Sequence, residues 1–161
     1  MLDAAAPRVT ISFMLRPLAL ATAICGTLDI LFAVLLTLWR GREPADMLRF
    51  VASGPFPNAM DWGAPGSALG LVVHFTLMAV MVTAFVFAAR NYPVIVDQPL
   101  LSWLGFALVT YVAMNLVVVP LRFPAAWPPT PLGIGTQLFA HLFLVALPTV
   151  LITRHFLRAS A

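Results

Sequence analysis

A chain that must live in lipid has few folds open to it, and this one carries four apolar stretches long enough to cross a bilayer. They fall at about residues 17–39, 66–89, 100–121 and 133–153. At ~1.5 Å rise per residue, each reaches across the ~30 Å hydrocarbon core. Inside that core every backbone N–H and C=O must find a partner within the chain, so the stretches fold as helices. The expected fold class is all-α. It is a bundle of four transmembrane helices in a single integral membrane domain over 1–161, with a short interfacial helix in the first outer loop.

Composition points the same way. The chain is 61% hydrophobic and only 9% charged, against about 25% charged in an ordinary soluble domain. Its basic residues are nine arginines scattered over the chain. They form no stripe, which argues against a nucleic-acid partner. A single cysteine, Cys25, excludes an internal disulfide and C-x-x-C redox chemistry within one chain. The first stretch runs on to Trp39, beyond the ~7–15 apolar residues of a signal core. An uncleaved helix is expected there.

Four crossings place both ends of the chain on one side. Arg8, Arg16, Arg90, Arg154 and Arg158 fall there, and Arg40, Arg42, Arg49 and Arg122 fall opposite, with Glu43, Asp46 and Asp61. The excess of arginine puts both termini of this multi-pass protein in the cytoplasm. The long first loop contains a run from Pro44 to Gly54 that reads as a short helix, with proline in its first turn. Met47, Leu48 and Val51 share one side of it, and Asp46 and Arg49 another. Such a helix lies flat at the interface; the alternative is a re-entrant lid over the bundle.

Each crossing hides a polar residue: Asp29, His74, Asn115 and His141. Polar groups at this depth are expensive and point to function. Counting residues from the ends of the crossings puts them within roughly 10 Å of one another in depth. The faces agree as well. Thr22, Cys25, Gly26 and Ala33 share the Asp29 side of the first crossing, with Leu28, Leu31, Leu35 and Leu38 opposite. Gly66 and Gly70 fall on or near the His74 side of the second, a small-x-x-x-small spacing that also suits a homodimer contact. Tyr111 lies a turn from Asn115, and Gln137 and Thr149 accompany His141. The expected intramembrane cluster is therefore Asp29, His74, Tyr111, Asn115, Gln137 and His141. Gly66 precedes His74 by the interval that separates Gly133 from His141, a faint repeat that would relate the two halves about an axis along the membrane normal.

The cluster admits several chemistries. It can be a structural hydrogen-bond network that sets helix register. An acid beside two imidazoles in a low dielectric can also hold and release a proton, as in a small proton-coupled transporter or a pH-responsive protein. His74 and His141 could instead clasp one haem b between parallel helices, making a redox subunit. Asp29, His74 and His141 are also of the right kind for zinc or copper. A structural accessory subunit of a membrane complex is a further reading. Nothing indicates an enzyme: H-E-x-x-H, G-x-S-x-G and a phosphate-cradling glycine loop are missing. The lipid bilayer is the one partner implied outright; an ion or small-molecule ligand is left open.

Several blocks carry a resemblance: Gly26-Thr27-Leu28-Asp29, Ala52-Ser53-Gly54, Gly70-Leu71 leading to His74-Phe75, and Tyr111 through Met114-Asn115 to Val119-Pro120-Leu121. Together they resemble a group of uncharacterised bacterial four-helix inner-membrane proteins. The last two helices, with Phe139-Ala140-His141, are similar in layout to the YagU-like proteins. The resemblance implies an inner-membrane location, a homodimer and a loose link to acid tolerance. It implies no reaction.

Overall fold

A computed structural model describes residues 11–159, with side chains from Met14 onward, and contains no strand among them. Six helices follow in order. They are α1 (Ile11–Trp39), α2 (Pro44–Ala52), α3 (Gly63–Asn91), α4 (Pro93–Asp97), α5 (Pro99–Arg122) and α6 (Pro131–Arg158). Of these, α1, α3, α5 and α6 are long and apolar enough to cross a membrane. All four run beyond their expected ends. Proline at position 17 is buried inside α1 rather than opening it, and α6 continues past Thr153 to Arg158. Polar helix ends like these reach past the hydrocarbon, and hydropathy alone trims them.

Local chemistry sets the breaks. Past Trp39 the chain turns through Gly41 at φ 66, and Arg42 N–H reaches back to the Thr37 carbonyl at 3.0 Å. This is the left-handed closure that glycine adopts without strain. Pro44, Pro93, Pro99 and Pro131 each occupy a first turn, where the missing N–H costs nothing.

Two of the crossings are not regular α-helices. In α5 residues Val112–Val118, and in α6 residues Ala140–Ala146, open into wide π turns. A proline follows each by two positions: Pro120 and Pro148. A helical proline ring collides with the carbonyl four residues back. Here those carbonyls belong to Leu116 and Leu144, both inside a wide turn, where the larger loop makes room. Pro148 therefore acts by widening α6, which a straight-helix reading treats as a kink.

The crossings pack in the order α3, α1, α6, α5, with α1 and α6 in the middle. Ala21 and Cys25 of α1, Met78, Val82 and Val86 of α3, and Val145 of α6 form the main buried core. It lies toward the end of the bundle that carries the termini. A second core joins Phe85 and Ala89 to Val150, with Trp103 and Phe106 of α5 against it. The outward sides carry Leu31, Leu35, Val72, Val80, Leu108 and Val109, each at least half exposed. An aqueous surface of that kind is untenable, whereas lipid accepts it.

At the opposite end, α2 packs along α3 and reaches across to the end of α5. Gly66 and Gly70 make this possible: a Cβ on Gly70 would fall on the Leu48 backbone, and one on Gly66 would meet the Ala59 carbonyl. Ser67 donates to the Ala45 carbonyl at 3.0 Å, and Arg49 pairs with Asp46. At its other end, Arg122 of α5 donates to the Ser53 carbonyl at 2.8 Å and to Gly54, and Phe50 stacks on Phe123 with centroids 4.3 Å apart. A guanidinium thus satisfies carbonyls that the end of α2 leaves open. The glycine face expected to serve a second copy is occupied by the chain itself. Gly70→Leu is therefore expected to expel α2 and cost about 1–3 kcal/mol through overpacking. Thermal unfolding in detergent, with protease sensitivity of residues 44–56, checks this; unchanged values would refute the close approach.

Candidate functional site

The polar residues resolve into two groups, one in each helix pair. The first lies between α1 and α3. His74 is buried on α3, one turn beyond Gly70, and its Nε2 is 2.9 Å from the Gly26 carbonyl oxygen of α1. A carbonyl only accepts, so Nε2 carries the hydrogen. Nδ1 is then the nitrogen left open, and it faces Asp29 Oδ2 at 3.9 Å. That gap exceeds a direct hydrogen bond. Gly26 allows the approach because a Cβ there would lie 2.6 Å from the Phe75 ring. Phe75 in turn stands edge-on to His74, with centroids 5.3 Å apart. A larger residue at 26 would require the Phe75 ring to move.

The second group lies between α5 and α6. His141 Nδ1 is 3.0 Å from the Thr110 hydroxyl, which itself lies 2.9 Å from the Phe106 carbonyl. With its one hydrogen committed to that carbonyl, the hydroxyl accepts from Nδ1–H. The lone pair at Nε2 is met by the Asn115 amide nitrogen at 3.2 Å. Both ring nitrogens are satisfied in the neutral imidazole. Tyr111 stands edge-on to the ring at 90° and 5.8 Å. Nearby, the Trp103 indole N–H bonds the Leu142 carbonyl at 2.7 Å and fastens α5 to α6.

The expected cluster is thus partly assembled. Asp29 meets His74, and Asn115 and Tyr111 meet His141. Among the described residues no hydrogen bond or ion pair joins the two groups. Gln137 is exposed on α6 and stands outside both. The wide turn begins at Ala140, between Gln137 and His141, so a face drawn for a regular helix does not carry across it. Sequence reasoning missed Thr110 for the same reason. Five residues separate it from Asn115, which on a regular helix sends the two apart. In α5 the i→i+5 turn that begins at Val112 changes that phase, and both side chains reach His141. The Gly26 carbonyl left no signal beyond the glycine itself.

The same hydrogen bonds test the cofactor readings. A bis-histidine haem needs one free nitrogen from each ring facing a shared iron. Here Gly26, Thr110 and Asn115 hold three of the four ring nitrogens, and the rings sit in different helix contacts. The residues as placed do not fit one haem. Nor do any three His, Cys, Asp or Glu side chains converge on a metal position among the described residues. No protein-family model, curated protein or solved structure matches the chain, so the site is read from its own geometry.

The two histidines are expected to show opposite neutral tautomers, hydrogen on Nε2 in His74 and on Nδ1 in His141. Ring ¹⁵N shifts of the protein in bilayers report this directly, and matching tautomers would contradict the network. Asn115→Leu strips the donor from His141 Nε2 and is expected to lower stability by about 1 kcal/mol. Unfolding in detergent reads that loss, and no loss would mean that the amide bond contributes nothing.

Proposed function

We propose that this is a small multi-pass inner-membrane protein whose Asp29–His74 pair takes up and releases a proton, in proton-coupled transport or in a response to pH. One observation carries the reading. His74 Nε2 is tied to the Gly26 carbonyl, so Nδ1 is the one basic position that opens onto Asp29. A proton between them has two homes. It can sit on the carboxyl group and point at a neutral ring, or on Nδ1 and leave a carboxylate beside an imidazolium. The first arrangement places no charge in lipid, and the second places an ion pair there.

The second group supports the assignment by contrast. The repeat pairs His74 with His141, and each histidine bonds the crossing before it in sequence. Asn115 faces Nε2 of His141, the ring nitrogen that Thr110 leaves open, as Asp29 faces Nδ1 of His74, although the interval of the repeat does not align the two residues. An amide donates one fixed hydrogen bond and exchanges no proton on this scale. The α5–α6 group therefore holds the bundle, and the α1–α3 group does the chemistry. Arg122 and Gly70 bring α2 to within about two turns of both groups along α5 and α3. In this reading α2 lies at the outer face and covers them, with both termini in the cytoplasm. A homodimer would have to use a face other than Gly66–Gly70.

The test uses the full chain in liposomes. Asp29→Asn is expected to abolish proton flux, or a pH-induced infrared change in the carboxyl band, while leaving the fold intact. His74→Gln, which keeps a donor for Gly26, is expected to do the same. Flux and band that persist in Asp29→Asn would sink the proposal. Loss of stability with no change in either would assign the pair to structure.

A further inference from the structure

Helical threonines in this protein settle their hydroxyls in one way. Thr37, Thr76, Thr83, Thr136 and Thr149 each donate to the carbonyl four residues back. Thr22 and Thr153 do not. Their hydroxyl oxygens are sealed from solvent and have no partner among the described residues. Thr153 is 1% exposed. A buried hydroxyl without a partner among the described residues marks a place for internal water.

Register places the two together. α1 and α6 run antiparallel and pack closely, and the Cys25 thiol lies against the Thr149 hydroxyl. One turn from Cys25 toward the amino end is Thr22. One turn from Thr149 toward the carboxyl end is Thr153. Both steps go the same way, toward the end that carries the termini. Arg154, next on α6, has a further enclosed and unpartnered donor, its Nε; the fourth among the described residues, Arg49 Nε on α2, lies away from this contact. In the other direction Asp29 is one turn beyond Cys25 on the same face. The α1–α6 contact thus carries a file of polar side chains from Asp29 through Cys25 and Thr149 to Thr22 and Thr153, inside an apolar core of Ala21, Met78, Val82 and Val145.

We infer that water occupies the α1–α6 contact between Thr22 and Thr153 and connects Asp29 to the terminal side of the bundle. As a route, this rests on the proton-exchange reading of the Asp29–His74 pair. Along it each water or hydroxyl accepts one proton and releases another, so that O–H bonds form and break in equal number and only charge moves. The path leads to the face opposite α2, giving the pair an inner approach distinct from its covered outer one.

The experiment is water-to-protein magnetisation transfer on the full chain in bilayers. It is combined with the rate at which the Asp29 carboxyl proton exchanges into D₂O, followed by its infrared band. Water contacts are expected at the Thr22 and Thr153 side chains and at Cys25. Thr22→Val with Thr153→Val should remove them and slow the exchange at Asp29. The paired Thr→Ser variants, which keep the hydroxyls, should restore both. Absent water contacts in the native chain, or an exchange rate that the valine pair leaves unchanged, would overturn the inference. The two ideas fail separately. If the Asp29 band ignores pH while water is found, the water site stands and the proton reading falls. A responsive band without water sinks the water path alone.

Discussion

The bond from His74 Nε2 to the Gly26 carbonyl is the interaction on which the site depends. It crosses between α1 and α3, it forms at a glycine whose missing Cβ leaves room for the Phe75 ring, and it decides which ring nitrogen carries hydrogen. In water such a bond would compete with solvent and decide little. In lipid the alternative is an unpaired donor, which is costly. The tautomer is therefore set by a backbone atom that cannot itself titrate. Everything the imidazole can do is directed to Nδ1, and so to Asp29.

The packing follows from the same shortage of partners. Lipid offers no hydrophobic drive for helices to associate, so close contact and hydrogen bonds must do it. Small residues serve where two backbones meet: Gly26 between α1 and α3, and Gly66 and Gly70 beneath α2. Hydrogen bonds serve where side chains can reach a carbonyl, as Trp103 reaches Leu142 and Arg122 reaches Ser53. The wide turns belong to this economy. Each makes room for a proline, and each lies where the phase change lets Thr110 and Asn115 both address His141.

Much of this was legible in the sequence, and the omissions have a common physical origin. Length and hydropathy sufficed for four crossings, because the bilayer imposes a single dimension on each. The short helix at Pro44 is readable from its proline, glycine and amphipathic spacing, whereas depth and face predict one cluster around both histidines and leave open which of them Asp29 meets. Phase was harder. A period of 3.6 was assumed through α5 and α6, although two prolines had already broken it, so Gln137 was placed with His141 and Thr110 was passed over. Gly66 and Gly70 were correctly taken as a close-packing face, but a glycine pair does not say what packs on it. Backbone acceptors such as the Gly26 carbonyl have no side-chain signature at all.

The two halves of the chain are built on one plan with one difference. In both, a histidine from the later crossing bonds the earlier one. The first half sets a carboxyl group beside the open nitrogen, and the second sets an amide there. The two differ by one atom in their ability to hold a proton and hardly at all in shape. If the carboxyl group served only to fasten helices, the amide would do so in both halves without the expense of an ionisable group in lipid. The half that keeps the acid is also the half whose contact with α6 carries Cys25, Thr149 and the unpartnered Thr22 and Thr153 hydroxyls. Two of the four enclosed donors without a partner among the described residues, the Thr22 and Thr153 hydroxyls, thus lie on the helix that carries Asp29 and on the helix packed against it, while the other two, Arg49 Nε and Arg154 Nε, lie near helix ends.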